Sequence, residues 1–320
     1  MIKHFSHKIR TLPTPMAGLA LGVSSLGVCY EIAFGFNGWA QIVAALIATG
    51  LLTLLLGRYL LHFDTLIADL THPVLGSIAP TFAMCLMVLS KTLGLCSATA
   101  GATLWSMAVT IHVLILCVFI RHRLSDRRME TMVPSWFIPP VGLIVADVTF
   151  PGTALLLPVA QVLLYVGLIS YAILLPTMLY RIFFYPSIQA QAQPTIAIMA
   201  APASLCLAGY LTVTAEPNLL IGAILLGIAL LMTIAIYFAF WHLLRLQFSP
   251  GYAAFTFPMA IGATALYKSA AAIEHFAGAQ QYVDTLRFLA HIELAIATLV
   301  IGFVLFLYSK NFGSFLAKVE

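Results

Sequence analysis

The chain has 320 residues, of which 62% are hydrophobic and only 8% charged, and its mean hydropathy is +1.03. A soluble domain carries roughly 25% charged residues, so this composition excludes a soluble enzyme and places the chain in a membrane. The formal net charge of +4 says little until it is mapped onto the loops.

Met1 to Arg10 is basic and precedes an apolar run, as in a secretory signal. Pro13, Pro15 and Gly18 interrupt that run, however, and the same proline-then-small pattern recurs four times downstream. The run therefore reads as a retained first span. A membrane-crossing helix needs about 20 mostly apolar residues. Stretches 14–35, 38–62, 76–96, 98–120, 136–151, 153–180, 193–214, 217–245, 252–273 and 285–309 approach or exceed that length. The fifth is short and crowded by Pro139, Pro140 and Pro151. The expected fold is an all-α integral membrane protein of ten transmembrane helices. A cytoplasmic N-terminus (1–12) precedes a single transmembrane domain (13–310), and a cytoplasmic tail (311–320) follows it.

Cytoplasmic loops accumulate Lys and Arg, and ten spans with both ends inside satisfy that rule. Twelve of the 15 Lys and Arg then fall on the cytoplasmic side, including Lys3, Lys8, Arg10, Arg58, Arg127 and Lys318; Lys91, Lys268 and Arg287 fall opposite. Trp39, Trp105, Trp136 and Trp241 fall near span ends, where interfacial aromatics belong. The basic stretch from Arg121 to Glu130 is too short for a nucleic-acid patch, and contact with anionic lipid fits it better.

Pro15, Pro80, Pro140, Pro202 and Pro258 recur at spacings of 65, 60, 62 and 56 residues, each near the start of an odd-numbered span. Even-numbered spans are longer and smoother. Within a bilayer, broken backbone is tolerated only where protein buries it or it lines a cavity. Five helical hairpins, with broken helices inside and smooth ones outside, would enclose a pore with these prolines as pore-lining kinks. Repeats with broken helices are common in transport proteins.

No P-loop, GxGxxG, HExxH or GxSxG motif is present, and nothing calls for a cofactor. Cys29, Cys85, Cys96, Cys117 and Cys206 fall in apolar segments without CxxC spacing and read as buried thiols, not as metal ligands. His4, His7, His62, His72, His122 and His242 lie at cytoplasmic ends; only His112 is well inside a span, and it reads as a hydrogen bond to a neighbouring helix. Glu31, Lys91, Asp147, Glu216, Lys268, Glu274 and Glu293 sit near the non-cytoplasmic ends and read mostly as solvated mouth residues or salt bridges. Asp147, Lys268 and Glu293 are the candidate proton or charge-pair sites. Of these, Glu293 and Lys268 lie deepest and could pair.

The opening Leu12-Pro13-Thr14-Pro15-Met16-Ala17-Gly18, the pair His72-Pro73 and the stretch Phe255-Thr256-Phe257-Pro258-Met259 carry a family likeness. From about residue 12 to 310 the chain resembles the tellurite-resistance/dicarboxylate transporter family. That family includes bacterial tellurite-resistance protein A, fungal malate and sulfite transporters, and plant guard-cell slow anion channels. The resemblance implies a homotrimer, each protomer having five hairpins around a pseudo-fivefold axis and its own pore. It also implies a bacterial inner-membrane location and a pore gate at Phe257. Phe255, two positions earlier on the same helix, is the secondary candidate.

On this reading the protein is an anion channel for chloride or nitrate, and not an enzyme. The alternative is a proton-coupled transporter or exporter of C4-dicarboxylate, sulfite or tellurite-type anions. Helix-terminal N–H groups and basic loops favour anions, whereas carbonyls freed by proline favour cations. The anion assignment itself comes from the resemblance.

Overall fold

The structure, a computed structural model, describes residues 7–125, 128–276 and 278–316. Lys3, His4, Arg127 and Lys318, and with them parts of the N-terminal segment and the tail, lie outside the described residues.

Among the described residues the chain is helical and has no strand. Helices α1 (Met16–Phe34) and α2 (Trp39–Leu61) form the first hairpin. Gly35 ends α1 in the left-handed region at φ 64°, and the Glu31 carboxylate accepts the N–H groups of Gly38 (3.0 Å) and Ala40 (2.7 Å). A nine-residue helix, α3 (Phe63–Thr71), follows; its two aspartates interrupt the apolar pattern of the sequence there. The second hairpin is α4 (Leu75–Ile78) and α5 (Thr81–Gly94), broken at Pro80, with α6 (Ala98–Ser125). The fifth segment is fragmented: a 3-10 turn (Pro134–Phe137), α7 (Ile138–Val141), a second 3-10 turn and α8 (Val145–Val148), followed by the long α9 (Leu157–Phe184). A 3-10 stretch (Ala190–Ala200) leads into α10 (Ala201–Val213) and then α11 (Leu219–Leu243). Another (Pro250–Phe255) leads into α12 (Thr256–Ile273), which pairs with α13 (Gln280–Lys310).

Among the described residues eight helical stretches are long and apolar enough to cross a membrane, so this is a multi-pass membrane protein. Ten were expected. The two that fall short are the fragmented fifth segment and α12. Both are walled by protein, so neither needs a lipid-facing surface. In α12 every residue from Thr256 to Tyr267 is buried, including Pro258, Gly262 and Thr264.

Burial divides the spans into two classes. Met16–Phe34, Leu75–Gly94 and Ala190–Val213 are 67–83% buried, whereas the five long smooth helices are only 22–33% buried. The inner elements pack in sequence: α1 on α5, α5 on α8, α8 on α10, α10 on α12, and α12 back on α1. The broken segments are inside and the smooth ones outside, as the backbone argument requires.

The prolines act differently from the mid-helix kinks expected. Pro15 and Pro80 cap α1 and α5, and Pro202 and Pro258 stand in the first turns of α10 and α12. There the missing N–H has no intrahelical partner to lose, so proline starts the helix where a 3-10 or turn segment ends. The proline well inside a long helix is Pro176, in smooth α9.

Two further expectations change. Trp105 is fully buried, whereas Trp39 and Trp241 are exposed near helix ends. Cys29, Cys85 and Cys206 are buried, but Cys96, in the turn after α5, and Cys117, on the outward face of α6, are exposed. No group of three or more potential metal ligands exists among the described residues.

Candidate functional site: two apolar cavities that share Phe257

A cavity of about 60 Å³ lies at the proline-bearing ends of the inner segments. All five inner segments contribute, through residues such as Leu21, Met84, Val141, Leu205 and Phe257; α2, α6, α9, α11 and α13 contribute none. The lining has no ionisable side chain. Its single side-chain hydroxyl, on Thr81, donates back to the Ile78 carbonyl at 2.8 Å. A second cavity of about 20 Å³ is lined by Ser25, Val28, Val88, Val148, Ile261, Thr264 and their neighbours. Phe257 and Leu205 line both cavities. The ring of Phe257, 9% exposed, is therefore a wall common to both.

Local packing aims that ring. The Thr256 hydroxyl lies 3.1 Å from the Gly18 carbonyl oxygen and 2.7 Å from that of Ala253, so it can donate to either and tie α12 to α1. Gly22 of α1 makes this approach possible, because a side chain there would overlap Thr256. Thr256 thus faces α1, and the next residue turns inward by about 100°.

The other expected site residues separate. Phe255 lines neither cavity; it is fully buried against Phe240 (ring centroids 5.4 Å apart) and Tyr252 (4.7 Å). Pro15, Pro202 and Pro258 line the larger cavity, and Pro80 and Pro140 do not. Asp147 is fully buried, packs against Gly209 of α10, and neither carboxylate oxygen has a partner. Glu293 is buried against Gly262 of α12 with one oxygen unpartnered. These two are not solvated mouth residues, and neither lines either of these two cavities. Among the described residues no ion pair joins Lys268 to Glu293.

The expected bond from His112 is present: its Nε2 lies 2.8 Å from the Pro139 carbonyl oxygen. Sequence reasoning missed the buried ion pair between Arg58 and Asp69 (2.8 Å), which the Thr14 hydroxyl joins at 2.5 Å from Asp69, beside Pro15. Its signal was an arginine at the end of an apolar run with an aspartate shortly downstream.

Over residues 11–308 the sequence matches the family described as voltage-dependent anion channel (SLAC1). The chain belongs to this family. Two proteins of Methanocaldococcus jannaschii, both named uncharacterized transporters, are each 25% identical to it, over 231 and 229 residues. These alignments cover 64% and 63% of this chain and 67% and 65% of the relatives. The voltage-dependent anion channel membership agrees with the likeness read from the proline hairpins and the Phe-Pro-Met stretch, and it makes this an anion-transport protein of the membrane.

Proposed function

We propose that the protein is an anion channel that passes small anions such as chloride and nitrate and is gated by Phe257. The observation that carries this reading is that Phe257 lines both apolar cavities. An aromatic ring in a narrow apolar passage keeps it dry, and a hydrated ion cannot enter. The fully buried Phe255, held by Phe240 and Tyr252, is the weaker candidate. The proposed architecture is ten helices as five hairpins about a pseudo-fivefold axis, with Pro15, Pro80, Pro140, Pro202 and Pro258 starting the helices that surround the pore. The proposed assembly is a homotrimer in a bacterial inner membrane, with residues 1–12 and 311–320 on the cytoplasmic side of the 13–310 domain.

Phe257→Ala is expected to produce a standing anion current in planar bilayers where wild-type protein passes little, with up to three equal conductance levels per assembly. A variant with wild-type conductance at equal protein density would place the gate elsewhere. The second reading, a proton-coupled transporter of C4-dicarboxylate, sulfite or tellurite-type anions, is favoured by the unpartnered buried carboxyl oxygens of Asp147 and Glu293.

A further inference from the structure

The lining stripes of two inner helices run past the smaller cavity. On α12, Phe257, Ile261 and Thr264 line it, and Lys268 is the next residue on that face; on α5, Val88 lines it, and Lys91 follows one turn on. Residues three or four apart share a helix face, so both lysines stand where the path leaves the smaller cavity. Helices α5 and α12 both pack on α1, and each carries its lysine toward its C-terminal end. Among the described residues neither lysine has a hydrogen-bond or ion-pair partner. Two carboxylates at this end are engaged elsewhere: Glu31 with the N–H groups of Gly38 and Ala40, and Glu274 with Arg287 at 2.9 Å.

Ser25 of α1 is a second and independent sign. It is 8% exposed and lines the smaller cavity, and its hydroxyl has no partner. The other two hydroxyls in that lining, on Thr149 and Thr264, donate to the carbonyls of Val145 and Ala260. Beyond Phe257 the lining therefore offers one free O–H donor and then two lysines without partners, in a wall whose other hydroxyls are held by their own helices. Like charges in a poorly solvated place raise each other's energy, and an anion between them removes that cost.

We propose that Ser25, Lys91 and Lys268 form a binding site for a small monovalent inorganic anion, such as nitrate or chloride, on the side of Phe257 away from the prolines. The site rests on the reading that the path divided at Phe257 carries anions. The smaller cavity has room for about one water, so the ion is held at its mouth between the ammonium groups, with the Ser25 hydroxyl as the next ligand inward. This places a fixed selectivity charge beside a passage whose walls carry none.

The test is the thermal stability of the purified full-length protein, titrated with sodium nitrate against sodium gluconate at matched ionic strength. Ligand binding to the folded state gives a saturable rise in Tm, expected for nitrate and not for gluconate. Lys91→Gln and Lys268→Gln should each weaken the apparent affinity about ten-fold, as loss of a charge-assisted contact does, while Lys268→Arg retains most of it. Absence of a saturable rise in the wild type, or its survival in the Lys91→Gln/Lys268→Gln double variant, overturns the site. Bi-ionic reversal potentials of Phe257→Ala separate the two readings. If nitrate binds as expected but Phe257→Ala passes no anion, the channel reading falls and the site stands. If Phe257→Ala conducts while the double variant still binds nitrate, the site falls and the channel stands.

Discussion

A methyl group added at Gly22 would overlap the Thr256 side chain and come within 3.1 Å of the Phe257 backbone nitrogen. The tie between α1 and α12 has no slack there, because Thr256 is fully buried and in hydrogen-bond reach of Gly18 and Ala253. Overpacking a tight contact typically costs about 1–3 kcal/mol, so Gly22→Ala should lower Tm by several degrees. The same substitution at Gly50 of α2, which has open space around the added carbon, should be neutral or stabilise by up to about 1 kcal/mol, through helix propensity alone. Thermal melts of the two variants check this, and equal shifts would contradict the packing argument. The residue scale is also where the sequence was least informative. Proline and glycine announced a close approach, but nothing in the chain says that Gly22 meets Thr256, since that contact spans more than 200 positions.

At the scale of elements, the fifth segment shows how a broken helix survives in a membrane. Its backbone is divided among α7, α8 and two 3-10 turns, and the hydrocarbon core supplies no water for the freed carbonyls. Smooth helix α6 supplies the donors: Nε1 of Trp105 donates to the Ala146 carbonyl at 2.9 Å, and Nε2 of His112, as the protonated ring nitrogen, donates to that of Pro139 at 2.8 Å. Leaving a buried carbonyl unpaired costs about 1–3 kcal/mol. Trp105→Phe and His112→Leu should each destabilise by that amount and speed amide exchange in residues 138–148 before elsewhere. Exchange that accelerates evenly over the protein would sink this account. The alternation of broken and smooth hairpin legs was legible in the sequence, because proline and glycine mark helix breaks while lipid-facing helices are rich in Leu and Ile. The role of Trp105 was not: position near a helix end gives its depth in the bilayer but not the direction it faces. Helix α3 was hidden for a related reason. Asp69 reads as a loop residue until Arg58 and Thr14 are seen to bury it.

At the scale of the whole molecule, the placement of charge relative to the two cavities favours the proposed channel over a coupled carrier. A proton-coupled carrier needs a titratable group that meets the path as substrate moves, and neither cavity lining contains one. Asp147 and Glu293 lie in helix seams instead, against Gly209 and Gly262. They are poorly placed to exchange protons with a passing anion, whatever they contribute to packing. Lys268, the third of the candidate charges, continues the cavity-lining stripe of α12, and the anion site proposed above assigns it to selectivity rather than to coupling. In liposomes, nitrate uptake through Phe257→Ala should therefore follow the membrane potential, and 100 mV is worth ~2.3 kcal/mol per charge. An imposed pH gradient at zero potential should drive no accumulation, and Asp147→Asn and Glu293→Gln should leave the flux largely unchanged when added to that background. Uphill accumulation driven by protons, and lost in either variant, would reverse the assignment and make the buried carboxylates the coupling site.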